Sequence, residues 1–191
     1  MGADIWLIRH GETEWSLSGA HTGRTDIPLT ANGERQARAL QKHLAGHQFA
    51  LILTSPLQRA RRTCELAGFG DRAEVDSNLA EWDYGEYEGK TTHDIQSQRP
   101  NWSLFRDGFP GGETLDAVAG RAQAVIGRVQ SIARGDVALF AHGHILRVLA
   151  ACWLEMRPDA ARRFALGTAS ISTLGYEHEN RVISRWNLQA D

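Results

Sequence analysis

At 191 residues, with 42% hydrophobic and 23% charged side chains, the chain suits one globular domain over 1–191 and falls outside the collagen-like and disordered classes. Its 21 Lys+Arg against 23 Asp+Glu give a formal charge of -2, so the bulk balance points to neither nucleic acid nor a membrane surface as partner, and any anion site must be local. Cys64 and Cys152 lack CxxC spacing, which excludes a disulfide framework and suggests two buried thiols in a reducing compartment.

The opening segment "MGADIWLIRH" has no basic region, and Trp6 stands where a myristoylation signal carries Ser or Thr, so no export or lipid signal is read and a cytoplasmic location is expected. Ile5 to Ile8 is an apolar run of strand length. Thr30 is placed to cap a helix reaching Leu44, with Ala37, Leu40 and Leu44 on one face. "ALIL" (50–53) is a second strand, and Ser55-Pro56 signals a helix running to about Ala67. The segment 85–112 is rich in Gly, Pro and Trp with weak periodicity, and reads as a partly irregular, lid-like excursion over the sheet.

Apolar residues from Leu115 to Ile132 recur at three and four positions, the clearest amphipathic helix of the chain, with Gly135 placed to stop it. "VALFA" (137–141) is the next buried strand. It opens the longest apolar stretch, 137–154, which His142, His144 and Arg147 mark as core rather than membrane span. Two late strands, 169–177 and 181–188, suggest a hairpin across His178 to Asn180. Runs without polar alternation imply strands covered on both faces, so the expected fold is α/β, a three-layer α/β/α sandwich with a mostly parallel central sheet.

In such sheets ligand sites lie outside the carboxyl ends of the strands. Three ends carry chemistry: Arg9-His10-Gly11, then Thr54-Ser55-Pro56 with Arg59 beyond, then His142-Gly143-His144. Arginine forks, imidazoles and a capped helix N-terminus together suit a phosphoryl group, which a neutral imidazole can also attack. Glu81 in "LAEWDYGEYEG" is the candidate proton donor. Each piece also has a plainer reading. Arg59, Arg61 and Arg62 could solvate a helix, and Glu81, Asp83, Glu86 and Glu88 could form an exposed acidic loop. His21 could be a core or surface histidine, Tyr84 a packing residue and Arg147 a surface one. His142 and His144 could ligate a metal, with no third ligand at obvious spacing.

Taken jointly and in order, "LIRHGETEW", "TGRTDIPLTANGERQA", "TSPLQRARRT", "LAEWDYGEYEG", "PGGET" and "FAHGH" resemble the histidine phosphatase superfamily, also called phosphoglycerate-mutase-like, over essentially the whole chain. The resemblance implies His10 as the nucleophile that becomes a phosphohistidine, with Arg9, Arg59 and His142 binding the phosphoryl group and Glu81 as general acid. Ser16 takes the place of an asparagine found in many members. "EWDYGEYEG", "FRDGFPGGET" and "FAHGHILR" look most like the branch of sedoheptulose-1,7-bisphosphatases and bacterial acid phosphatases, which suggests Ser55, Tyr84 and Arg147 as contacts to the rest of the substrate. His21 stands where the bisphosphatases have tyrosine, and Thr22, Gly23 and Gly143 of the matching segments complete the candidate contacts.

The implied activity is hydrolysis of a small-molecule phosphoester in two in-line displacements, with no metal or cofactor. If Asp83, Glu86 and Glu88 crowd Glu81, repulsion would raise its pKa and favour an acidic optimum. The rival activity is a phosphoglycerate mutase using the same phosphohistidine, against which stands Trp82-Asp83-Tyr84-Gly85 after Glu81 in place of Arg-His-Tyr-Gly. A catalytically silent phosphate-binding module and a metallohydrolase on His142 and His144 are the readings from other classes. Assembly stays open, a homodimer among its options.

Overall fold

The computed structural model describes residues 4–132 and 134–189; residues 1–3, the start of the segment read for an export or lipid signal, lie outside them. The first apolar run forms β1 (Ile5–Arg9). Its side chains alternate between two cores, as the period of a strand requires. Ile5 and Leu7 join a core with Val118, Val125 and Ile145, whereas Trp6 and Ile8 join one with Leu40, Leu44 and Cys64. A strand read without polar alternation is therefore one sandwiched between two helical layers.

Helices α2 (Ala31–Leu44) and α3 (Gln58–Leu66) supply one layer, after the short α1 (Glu14–Ser18). The other is built by α6 (Leu115–Gln130) and α7 (Gly143–Trp153). Between them, β2 (Phe49–Thr54), β3 (Glu74–Val75) and β4 (Asp136–Ala141) join β1, and β5 (Ser170–Glu177) and β6 (Asn180–Gln189) form the expected hairpin. The sheet order is β3-β2-β4-β1-β5-β6. Pairing is parallel from β3 through β1 and antiparallel for β5 and β6. The fold is thus mixed α/β, a six-stranded, mostly parallel sheet between helical layers. In the 85–112 segment lie α4 (Thr92–Gln98) and α5 (Leu104–Asp107), with Ile95, Trp102 and Phe109 buried in the core.

Thr30 caps α2 as expected, its hydroxyl accepting the Gly33 N–H at 2.9 Å. Ser55 does not cap α3: that helix begins at Gln58 behind Leu57, with no side-chain cap, and the Ser55 hydroxyl accepts the Leu57 N–H inside the preceding turn. Nor does Gly135 stop α6. The helix closes at Ser131, whose N–H returns to carbonyls of the last turn, and Gly135, at φ 92°, shapes the later turn into β4. The long apolar stretch divides into β4 and α7 with only His142 between them. Among the described residues no helix is long and apolar enough to cross a membrane.

Register brings the strand ends together. Arg9 pairs with Ala141 and Thr54 with Phe140. Beyond the last pairs, the His10 N–H donates to Ala141 O at 3.0 Å and the Ser55 N–H to Phe140 O at 2.9 Å. Three segments distant in sequence thus end side by side at the carboxyl edge of the sheet.

Candidate active site

His10 is the first residue past β1 and is 5% exposed. Burial above all, then the charges of Arg9 and Arg59, hold its imidazole well below the ordinary histidine pKa. The ring is therefore neutral, with one N–H to place. Its Nδ1 lies 2.7 Å from Gly11 O, a partner that only accepts, so the proton sits on Nδ1 and the lone pair is left on Nε2. The Gly11 N–H donates to Thr63 Oγ1 at 3.0 Å, which ties this loop to α3. A Cβ on Gly11 would lie 2.4 Å from Gly33 O, and one on Gly33 2.1 Å from Glu12 O, so the loop and the start of α2 approach closer than any side chain permits.

Arg9 and Arg59 flank the ring in different ways. Arg9 lines the cavity; one Nη donates to Leu166 O, while its buried Nε has no partner among the described residues. Arg59 is wholly buried behind the wall. Its fork donates to Thr25 O at 3.0 Å, Thr22 O at 3.1 Å and Gly23 O at 2.8 Å, and its Nε donates to His142 Nδ1 at 3.1 Å. That bond makes His142 Nδ1 an acceptor, so its Nε2 carries the proton and donates to Ser55 Oγ at 2.7 Å. Burial and Arg59 keep His142 neutral, and its ring centroid is 5.1 Å from that of His10.

Glu81 approaches from the loop after β3. One carboxylate oxygen, Oε1, accepts the N–H groups of Trp82 and Ile145, each at 2.9 Å; the other, Oε2, accepts the His144 N–H at 2.9 Å. Two of these donors belong to the first turn of α7, the end of a helix that favours a carboxylate. Oε1 has both lone pairs engaged and Oε2 only one, so Oε2 is the atom able to carry a transferable proton. Asp83 pairs with Arg24 at 2.8 Å, and Glu88 accepts the N–H groups of Gly23 and Thr25.

A cavity of about 450 Å³ opens over these groups, with Ser16, His21, Thr22, Tyr84, Gly143 and Arg147 in its walls. Ser16 also closes the capping box of α1 with Thr13. Burial pushes His21 down to about 4, and its ring lies 5.0 Å from Tyr84 and 5.8 Å from Trp102. Arg147 donates Nε to Ala161 O and lies over the Phe105 ring. Gly23, Ser55, Arg59 and His142 are not in the wall; the polar groups of Gly23 and Ser55 serve Arg59, Glu88 and His142 instead.

Several contributors were not singled out from the sequence. Arg121 of α6 donates to Asn78 O and Ala80 O, each at 2.8 Å, and forms a two-pronged pair with Glu113, which receives the Asp83 N–H at 3.1 Å. Together they fix the loop that presents Glu81. Glu12 accepts from the Thr30 hydroxyl and the Asn32 amide, binding the His10 loop to α2. His144, read only as a metal ligand, faces Tyr84 Oη at 2.6 Å. With both nitrogens of His142 and Nδ1 of His144 engaged by protein, no cluster of three or more His, Cys, Asp or Glu side chains is arranged to hold an ion among the described residues.

The sequence profile of the histidine phosphatase superfamily (branch 1) matches residues 5–189. The chain is 38% identical to an acid phosphatase of Mycobacterium tuberculosis, over 94% of this chain and 90% of that protein. It is 39% identical to sedoheptulose 1,7-bisphosphatase of Saccharomyces cerevisiae, over 78% of this chain and 67% of that protein. It is 31% identical to a Photorhabdus laumondii protein named "Probable phosphoglycerate mutase GpmB", over 95% and 89% of the two chains. The solved structure of the open reading frame Rv3214 from Mycobacterium tuberculosis superposes with a TM-score of 0.95, at 35% identity, over 100% of both chains. The profile spans all three strand ends and the Glu81 loop, and the chain belongs to branch 1 of the histidine phosphatase superfamily.

Proposed function

We propose that the protein is a metal-independent phosphomonoesterase acting on a small phosphorylated metabolite, a sugar phosphate or bisphosphate being the class its relatives suggest. The observation that carries this reading is the His10 ring, neutral, with Nδ1–H held by Gly11 O and Nε2 without a partner among the described residues, beside two guanidinium groups. His10 Nε2 attacks phosphorus as the bond to the ester oxygen breaks, and Glu81 Oε2 gives its proton to the departing alkoxide. Water then attacks the phosphohistidine, the P–N bond breaks, Glu81 takes the water's proton, and phosphate leaves. The free Nε–H of Arg9 meets a phosphoryl oxygen directly. Arg59 contributes charge from behind, and His142 turns its Nε2–H from Ser55 to a second oxygen. Charge stabilisation of this kind is the main source of rate in phosphoryl transfer.

The test is phosphate release, in chelator, from p-nitrophenyl phosphate, sugar mono- and bisphosphates, phosphoglycerates and nucleotides, with His10→Ala as control and trapping of an acid-labile phosphohistidine. Release abolished by His10→Ala supports the reading; full release by that variant, or none from any ester, refutes it. The likeness to the protein named as a mutase supports a second reading, transfer from the same phosphohistidine back to a phosphoglycerate. Interconversion of phosphoglycerates primed by 2,3-bisphosphoglycerate would establish that reading.

A further inference from the structure

One wall of the cavity carries a polar group that the proposed reaction leaves unused. The His144 ring stands edge-on to Tyr84 at 86° and to Trp82 at 84°, with Phe105 5.7 Å away, so it has little freedom to turn. Its Nδ1 is 2.6 Å from Tyr84 Oη, and Glu81 Oε2, at 3.8 Å, is too far to compete. Tyr84 is 2% exposed, and among the described residues its hydroxyl has no other partner. If it accepted from Nδ1, its own proton would have no protein acceptor among the described residues, at the cost of an unpaired donor on a nearly buried phenol. Tyr84 therefore donates. Burial keeps the phenol protonated and the imidazole neutral, consistent with that assignment.

A neutral ring that accepts at Nδ1 carries its proton on Nε2. That nitrogen has no protein partner among the described residues, and the ring lines the cavity beside Glu81 and Arg147. Whatever alcohol leaves with the Glu81 proton lies next to it. A single uncharged donor matches a hydroxyl or ether oxygen, whereas a second anionic group would be drawn to Arg147. We propose that His144 is a specificity-determining residue whose Nε2–H recognises a hydroxyl oxygen of the substrate's alcohol portion, with Tyr84 as the positioning residue that fixes its tautomer. This rests on the phosphoester reading above, and the experiment separates the two.

Nitrogen-15 spectra of the histidines in the substrate-free enzyme read the tautomer without turnover. Protonated Nε2 on His144, lost as a single state in Tyr84→Phe, is expected; a proton on Nδ1 in the native protein overturns the proposal. Binding of a panel of polyol phosphates is measured calorimetrically on a His10→Ala background, where no hydrolysis interferes. Adding His144→Leu should raise Kd about tenfold, the scale of one hydrogen bond. Adding His144→Gln, whose amide nitrogen lies near the position of Nε2, should recover most of it. An unchanged Kd in the leucine variant, or no binding of any polyol phosphate, overturns the proposal. In the enzyme with His10 intact, His144→Leu should raise KM for polyol phosphates about tenfold more than KM for p-nitrophenyl phosphate, which has no hydroxyl. Equal losses on both substrates overturn it. Failure of the native enzyme to hydrolyse any ester would count against the hydrolase reading alone, since tautomer and Kd would still decide this one.

Discussion

As the proposed nucleophile, His10 depends on its neighbours for both protonation state and tautomer. Because burial and two arginines hold its pKa well below 6.5, the neutral form persists into mildly acidic solution. Phosphohistidine formation should therefore keep its rate as pH falls through the ordinary histidine range. A pre-steady-state pH profile checks this, and an acid limb centred at or above 6.5 would contradict it. Glu81 belongs to the same scale. With Oε2 as the proton carrier, Glu81→Gln should slow alkyl esters by about 10²–10⁴. It should spare p-nitrophenyl phosphate at the first step, because p-nitrophenolate leaves without a proton. Equal slowing of that step on both substrates would remove Glu81 as acid.

At the scale of elements, the site is held by contacts between secondary structures rather than within them. Arg121 spans from α6 to the Glu81 loop, and both it and Glu113 are less than a fifth exposed. Arg121→Met leaves Glu113 and two carbonyls without their donor, and should cost about 2 kcal/mol of stability. It should also lower kcat on alkyl esters more than it raises KM, because the displaced group is the proposed proton donor. Denaturant unfolding with steady-state kinetics measures both, and a stability loss with unchanged kcat would show that the loop keeps its place unaided. Gly33→Ala probes the other junction. Its methyl would meet Glu12 backbone, which cannot swing aside as a side chain would. Loss of activity with α2 intact by circular dichroism is expected, and a fully active variant would show that the loop can yield.

Across the whole molecule, four histidines (10, 21, 142 and 144) are held neutral chiefly by burial. In the unfolded chain each takes up a proton near pH 6.5; in the folded protein His21 does so only near 4, and the others also well below 6.5. Unfolding between these limits absorbs protons, so stability is fully present above about pH 6.5 and falls as the solution is acidified. The slope reaches about 1.4 kcal/mol per pH unit for each histidine fully involved. Urea midpoints at pH 7.5 and 5.0 should differ accordingly, and equal midpoints would refute the neutral cluster.

The sequence by itself determined what local chemistry can determine. Unbroken apolar runs marked strands with two buried faces, Thr30 marked the start of α2, and Arg9-His10, Arg59, Glu81 and His142 marked the ends that meet. Where a residue's partners are local, or a strand's burial is uniform, its pattern is enough. Ser55 shows the limit: read locally it is a helix cap, but its hydroxyl, besides holding the turn at Leu57, accepts from His142, 87 positions away. Only the tertiary structure decided the hydrogen-bond partners that set the tautomers of His10 and His142, that Arg9 lines the cavity while Arg59 stands behind it, and that Arg121 and Glu113 hold the Glu81 loop. It alone turned His144 from a metal candidate into a donor set by Tyr84, 60 positions away. The physical reason is common to all of these: burial and hydrogen-bond partnership fix protonation and direction, and both come from segments that meet only once the sheet has formed.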